Sequence, residues 1–330
     1  VFSYVLTDIV CLAVMLILWR HNRNRFAGTG LWAIDYAFQL TALVLIILRG
    51  AIPDWASIVL ANALVMTGAF LGYLALLRFA GEKRNQTFNY IFLAASILVH
   101  ATLTYMTPDV DARSLNTSIG LGVFTFQCAW FALAGSPAAE RPLMRWAGSV
   151  FALFVIVGLL RIGHYFTISD SRADFFAPSA FDASIMIAYQ ILFIALTFSV
   201  VLMYNRRLVS DIQTGEEKFS KAFHSSPYAI TISRASDGRM LEVNEGFVRL
   251  SGFTPEECIG KTSLDLNLWH KEEDRVRLVR DLLDHGIVQD RDLPFRVKSG
   301  QAVETIFSAQ TITIDGEPCI LSSINDISDR

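Results

Sequence analysis

The sequence predicts an α-helical membrane bundle of seven transmembrane helices followed by a cytoplasmic α/β domain with a five-stranded antiparallel sheet. Three observations predict it: an uneven charge distribution, seven long apolar runs, and a last third in which short alternating segments are punctuated by turn residues. Over all 330 residues, 53% are hydrophobic and 18% charged, against about 25% charged in an ordinary soluble domain. Residues 1–208 hold 14 Lys/Arg and 10 Asp/Glu, whereas 209–330 hold 14 and 21. This split excludes a single soluble domain, a disordered chain and a nucleic-acid binder with a basic face. The four cysteines, Cys11, Cys128, Cys258 and Cys319, have neither disulfide-framework nor zinc spacing. The first residue is Val, which suggests a processed or trimmed start, and the first apolar run is too long for a signal-peptide core.

A membrane helix needs about 20 mostly apolar residues, because the hydrocarbon layer is about 30 Å thick and each residue rises 1.5 Å. Windows 2–19, 31–52, 55–77, 87–106, 115–135, 146–166 and 182–204 qualify. Soluble core helices of this length would carry a charged face. Arg20, Arg23, Arg25, Arg78, Lys83, Arg84, Arg141, Arg145, Arg206 and Arg207 fall on one side of the spans, and the other side is richer in acids. The positive-inside rule then puts the N-terminus outside and the C-terminal domain in the cytoplasm. The expected location is the inner membrane of a bacterium, as a multi-pass protein.

An ionisable group inside a span is costly and faces a partner or a cavity. Asp8, Arg49, Asn62, His100, Arg161, His164 and Asp182 all fall toward the outer leaflet. Arg161 and His164, three apart, share a helix face, and Asp8 is placed to neutralise Arg49 or Arg161. Two readings stand: a pocket for a small, anionic ligand, or groups that snorkel to the interface and tie helices together. Asp35 is expected to anchor near the inner end of the second span. Haem or metal ligation by His100 and His164 lacks the usual spacing. No span contains lysine, so a retinal Schiff base is excluded. No internal repeat of the transporter kind is visible, and Gly120 and Gly122 read as close helix packing. Neither a catalytic motif nor a metal site is expected.

Three regions are expected: the bundle (1–205), a connector helix (206–222) and a terminal domain (223–330). In the connector, Leu208, Ile212, Gly215, Phe219 and Ala222 step by four, three, four and three, the seam of a two-helix coiled coil. A plain amphipathic linker is the alternative. The seam would make the chain a parallel homodimer and carry motion of the seventh span onward.

In the terminal domain, Glu216–His224 is helical and Ser225-Ser226-Pro227 ends it. Tyr228–Ser233 and Met240–Val243 form a hairpin around Asp237-Gly238. Short helices occupy Asn244–Gly260, with Thr254 capping Pro255-Glu256-Glu257. His270–His285 is an amphipathic helix with Val276, Val279, Leu282 and Leu283 on its apolar side, and Gly286 stops it. Strands Asp292–Lys298, Val303–Ile314 and Cys319–Ile324 follow, joined at Ser299-Gly300 and Asp315-Gly316.

Several stretches carry a resemblance. They are Phe223-His224-Ser225-Ser226-Pro227, Asn244-Glu245-Gly246-Phe247, Ser251-Gly252-Phe253-Thr254-Pro255-Glu256-Glu257, Ile259-Gly260-Lys261, Phe295-Arg296-Val297-Lys298-Ser299-Gly300 and Asp315-Gly316-Glu317-Pro318, with Asn325-Asp326-Ile327-Ser328 at the end. About 110 residues thus resemble the PAS family of sensory domains. The resemblance implies a sensor or dimerisation module that relays through its last strand, with Asp326 at the junction. Light-sensing relatives need an Asn-Cys-Arg cysteine, which Glu-Glu-Cys258-Ile does not supply. Haem relatives use a histidine on the long helix, where His270 and His285 sit at the ends. No cofactor is therefore expected, and Phe247, Leu250, Trp269, Val279, Phe295 and Phe307 are read as core. The combination is similar to bacterial membrane signalling proteins whose PAS domain precedes a diguanylate cyclase, a cyclic-di-GMP phosphodiesterase or a histidine kinase. No such output motif occurs in the chain. The expectation is a receptor fragment for an unknown small-molecule ligand, acting in the lipid bilayer without nucleic acid. A transporter or channel with a regulatory PAS domain is the rival.

Overall fold

A computed structural model describes residues 2–167 and 180–328, apart from the side chains at 2, 167 and 182. The expected outer loop residues Asp170, Arg172 and Asp174 lie outside the described residues. The chain divides into two compact units, Val1–Val209 and Ser210–Arg330.

The first unit is built of helices α1 (Phe2–Asn22), α2 (Thr29–Ile47), α3 (Ala61–Phe79), α4 (Thr87–Tyr105), α5 (Val110–Trp130), α6 (Arg141–Thr167) and the first part of α7 (Ala180–His224). A π-helical turn, Trp55–Leu60, leads into α3, and another, Phe131–Gly135, ends α5. With those turns included, seven helical runs among the described residues are long and apolar enough to cross a membrane. Their outward faces carry large bare apolar side chains such as Ile91, Leu98, Leu159 and Phe198. Inside, Trp32, Tyr36, Phe124, Phe131, Met144 and Tyr204 are almost wholly buried in one core. Backbone approach is tightest where α2 begins. Gly28 has φ +94°, and a Cβ there would lie 2.7 Å from the Ala75 carbonyl oxygen. Only glycine fits both demands.

Two expectations change in this unit. Asp35 is not an interfacial anchor. It is 5% exposed and sits against Gly68 and Gly72 of α3, with Gln39 Nε2 donating to its Oδ1 at 3.0 Å. The two glycines, four apart, open a groove that a carboxylate fills. Of Gly120 and Gly122, only Gly120 makes a close helix contact, against Met66; a Cβ on Gly122 would meet nothing within 4 Å.

The second unit holds the end of α7, then β1 (Ala229–Arg234), β2 (Met240–Val243), α8 (Glu245–Ser251), α9 (Pro255–Cys258), α10 (Glu272–His285), β3 (Ile287–Arg296), β4 (Ala302–Ile314) and β5 (Glu317–Asp326). The five strands form one sheet in the order β2-β1-β5-β4-β3, every neighbouring pair antiparallel. One face packs against α8–α10 through Phe247, Leu268, Leu278, Leu282, Phe295 and Phe307. The other face buries Phe223 with Ile232 and Cys319. The helix-rich face therefore holds the main core, and the end of α7 covers part of the opposite one.

Differences from the expected elements have local causes. Strand β3 starts at Ile287, not Asp292, because its pairing with β4 shifts register between Val288 and Arg291. Asp290 there has φ +50°, and such a bulge interrupts the period-2 pattern by which strands are read. On α10 the buried positions are Leu278 and Leu282, one helical turn apart, whereas Val276 and Leu283 are exposed.

Candidate functional site

Two places gather polar side chains in a way that packing alone does not require, one in each unit. In the first unit the cluster lies where the α2–α3 turn meets α4, α5 and α6. Arg49 follows α2 and donates from Nη2 to the Ser57 carbonyl at 3.3 Å. Its charge acts on Arg113, in the first turns of α5, and on Asp54. The charges of Arg113 and Arg49 both reach His100 of α4. His100 is 2% exposed, and among the described residues neither ring nitrogen has a hydrogen-bond partner. Asn62 Nδ2 donates to the Ile58 carbonyl at 2.8 Å, and its Oδ1 accepts from Thr117 Oγ1 at 3.1 Å. Thr117 lies one turn beyond Arg113 on α5, so both project from the same face. Next to them, Arg161 Nη2 donates to Ser114 Oγ at 2.8 Å.

The seven residues expected to line a pocket thus divide. The Arg49 charge acts on His100, Asn62 bonds Thr117 of α5, and Arg161 bonds Ser114 of that same helix. Asp8 is half-buried on α1 beside Thr7, whose hydroxyl accepts from Gln190 Nε2 at 2.8 Å. The contacts of Arg49 and Arg161 given above do not involve Asp8. His164 turns toward α7, its ring stacked 3.8 Å from that of Phe181. The Asp182 side chain lies outside the described residues. Arg113 belongs to the cluster, but by sequence it reads as a loop arginine. The overlooked signal was Asp109, whose side chain caps α5 by accepting from the Ala112 amide at 2.9 Å. That cap starts the helix at Val110 and brings Arg113 into register with Thr117.

Helix α7 is fastened along its part in the first unit. Thr197 Oγ1 and the Tyr36 hydroxyl share a hydrogen bond of 2.9 Å. The Tyr204 ring packs against Phe26 and Phe79. Arg207 makes an ion pair with Glu140, ahead of α6. Beyond it, residues 209–222 are exposed all round. On the expected seam Leu208 is half-buried, and Ile212 and Phe219 are 46% and 55% exposed. The Phe219 ring stacks on that of Phe223, 5.7 Å away, and the apolar seam along this stretch is otherwise exposed.

In the second unit the centre of the polar network is Asn244, which is fully buried. Its Oδ1 accepts from the amides of Ile230 and Phe247, each at 2.8 Å. Its Nδ2 donates to the carbonyls of Phe223 and Tyr228, each at 2.9 Å. One side chain therefore caps α8, registers β1 and holds the last turn of α7. Gly246, next to it, leaves no room for a Cβ because the Tyr228 carbonyl stands in its place. Glu257 closes a second link. Its carboxylate accepts from the Thr254 amide at 3.0 Å and from Lys298 Nζ at 2.6 and 2.7 Å. The Lys298 ammonium and that amide hold the Glu257 carboxyl below its ordinary range. Cys258 is buried beside it, and burial pushes its thiol up, away from the reactive thiolate. His270 and His285 are both exposed. Asp326 is exposed at the end of β5, opposite Thr305, and its Oδ1 accepts from the Ser328 amide at 2.8 Å.

The family model described as "PAS domain" matches residues 227–329. This segment is a PAS domain. The match begins three residues after α7 ends and contains Asn244, Gly246 and all five strands. The PAS domain of an HTR-like protein from Haloarcula marismortui is 21% identical, with 37% of this chain and 99% of that one covered at a TM-score of 0.31. A PAS domain from Colwellia psychrerythraea is 19% identical over 34% and 98% of the two chains, TM-score 0.31. That of the fruit-fly ELK potassium channel is 18% identical over 34% and 96%, TM-score 0.30. No curated protein matches the chain. In this PAS domain, Phe247, Phe295 and Phe307 lie within the core, Leu250 and Trp269 pack against it, and Val279 stays at its margin. Among the described residues, no group of three His, Cys, Asp or Glu side chains could hold a metal ion.

Proposed function

We propose that the chain is the sensing and relay part of a membrane signal-transduction receptor. The seven apolar helices cross the membrane with the N-terminus outside, and the PAS domain is cytoplasmic. A stimulus acting on the bundle selects between two packings of its helices, and it can do so only by its differential affinity for them. Helix α7 passes the change on. Two copies pair in parallel through Leu208, Ile212, Phe219 and Ala222, and Asp326 carries the signal out of β5. The output is a diguanylate cyclase or cyclic-di-GMP phosphodiesterase, with a histidine kinase as the alternative.

The observation that carries this reading is one continuous helix. Ala180–His224 supplies the last apolar run and ends in the bond from Asn244 to the Phe223 carbonyl. Movement of that helix therefore has to strain the PAS hydrogen-bond network or move with it.

Cysteine cross-linking in native membranes tests the reading, because the four native cysteines are buried. Ile212→Cys and Phe219→Cys should each give a disulfide-linked dimer under mild oxidation. Ser210→Cys and Glu217→Cys, off the seam, should cross-link several-fold less. Equal yields at all four positions, or monomer throughout, would sink the parallel pair. Labelling of cysteines placed at Arg23 and Arg84 from outside intact cells would overturn the orientation.

A further inference from the structure

We propose that Asp35 is held between α2 and α3 as the neutral carboxylic acid and that loss of its proton drives the two helices apart, so that the stimulus the bundle receives is a proton. The inference rests on the receptor reading for its purpose and on its own geometry for its chemistry. Asp35 lies six residues after the start of α2, inside a run long and apolar enough to cross a membrane, and is 5% exposed. Its carboxyl group occupies space that α3 leaves open at two glycines. A β-carbon on Gly68 would collide with Asp35 Oδ1 and stand 2.6 Å from Gln39 Nε2. One on Gly72 would lie 3.3 Å from the Trp32 ring and 3.6 Å from Asp35 Oδ2. The two oxygens therefore press against the bare backbone of α3 at those positions.

The second observation is what those oxygens lack. Gln39 Nε2 donates to Oδ1 at 3.0 Å, and the same amide also donates to the Val65 carbonyl of α3 at 3.3 Å. Among the described residues, Asp35 makes no other side-chain hydrogen bond and no ion pair. An ionised carboxylate has room for about four hydrogen bonds, and an isolated charge in a low-dielectric interior is so costly that the group keeps its proton instead. The titratable side chains around it bring no positive charge. Tyr36 follows on α2, Cys11 of α1 and Cys128 of α5 share its core, and Asp8 of α1 acts on Tyr36. The π-helical turn Trp55–Leu60, which also packs on α2, has no titratable side chain. From α6 comes the ring of Phe151, against Trp32, and from α7 come Phe193, Thr197 and the Tyr204 hydroxyl.

Without the proton, a charge faces the α3 backbone with a single amide to stabilise it. Water entering between the helices, or separation of α2 from α3, has to supply the rest. The next residue of α2 is Tyr36, whose hydroxyl shares the 2.9 Å hydrogen bond with Thr197 of α7. A shift that parts α2 from α3 therefore pulls on α7 within the same unit.

Infrared difference spectroscopy on the full chain in phosphatidylcholine nanodiscs tests the proposal. Wild type minus Asp35→Asn at neutral pH should show the carbonyl stretch of one protonated carboxyl group, and the band should vanish as pH is raised. Oδ1, which accepts from Gln39, is the carbonyl oxygen of the neutral acid. Gln39→Leu removes that bond and should move the band to higher frequency, which keeps the proposal testable if Asp35→Asn does not fold. No such band at neutral pH, or a band that neither pH nor Gln39→Leu changes, overturns it. Spin-label separations at Ile212→Cys in the same discs test the link to reception. They should change over the pH range in which the band disappears, and should not do so in Asp35→Asn. Equal separations in the two forms while the band titrates refute the proton as the stimulus. The parallel pair is decided separately, by cross-linking along the seam.

Discussion

Asn244→Ala gives the sharpest test of how the PAS domain is held to the end of α7. The substitution removes four hydrogen bonds of 2.8–2.9 Å from a fully buried position. It strands the amides of Ile230 and Phe247 and the carbonyls of Phe223 and Tyr228. Loss of a helix cap alone costs about 1 kcal/mol, and each buried group left unsatisfied costs about 1–3 kcal/mol. Water entering the vacated space recovers part of that, which leaves a net loss of roughly 3–5 kcal/mol. Domains of this size have about 5–15 kcal/mol in total, so the unfolding temperature should fall by roughly 15–25 °C. Asn244→Asp separates the two halves of the network. It keeps both acceptors but points a carboxylate at two carbonyls, so it should be no milder than alanine. The assay is urea unfolding of segment 210–330, followed by Trp269, the single tryptophan of that unit. A loss below about 1 kcal/mol for Asn244→Ala, or an Asn244→Asp variant as stable as wild type, would refute the accounting.

Three further outcomes are expected. Gly246→Ala should destabilise the same segment by about 2 kcal/mol or more, because the new methyl meets the Tyr228 carbonyl and overpacking is costly; urea midpoints measure it. Glu257→Gln should lower stability at neutral pH and do nothing in strong acid. The Glu257 carboxyl is held below its ordinary range by Lys298, so its contribution is complete above the unfolded-state value and disappears as pH falls through the folded one. Thermal unfolding from pH 7 down to 3 should show the two curves converging. Glu140→Ala should destabilise the detergent-solubilised chain by about 1–3 kcal/mol, since it leaves Arg207, the partner on α7, without that ion pair. The exchanged pair Glu140→Arg with Arg207→Glu should recover part of the loss, read as unfolding temperature.

Much of the fold was legible because its signals are local. Long apolar runs mark the helices of the first unit. Asp237-Gly238, Ser299-Gly300 and Asp315-Gly316 mark turns in the PAS domain, where all three glycines have positive φ. Asn244 opens the run of short helices, and its side chain caps the first of them. What was not legible depends on which face of a helix meets which neighbour. Asp35 looks interfacial until α3 supplies Gly68 and Gly72 opposite it. Val276 and Leu283 fit an apolar stripe as well as Leu278 does, and only the sheet decides between them. The polar cluster was half visible. His100, Arg49 and Asn62 stood out as polar groups in apolar runs, but Arg113 lay outside every window. Asp8 and His164 were grouped with them by depth alone, and depth does not say around which side of a helix a residue points.

Within the second unit the end of α7 is indexed to the PAS domain at one carbonyl, where Asn244 holds Phe223. Each residue turns a helix backbone by about 100°. One residue added between Ile212 and Phe219 would therefore carry these two side chains more than a quarter-circle apart around the helix, while seven would nearly restore their shared side.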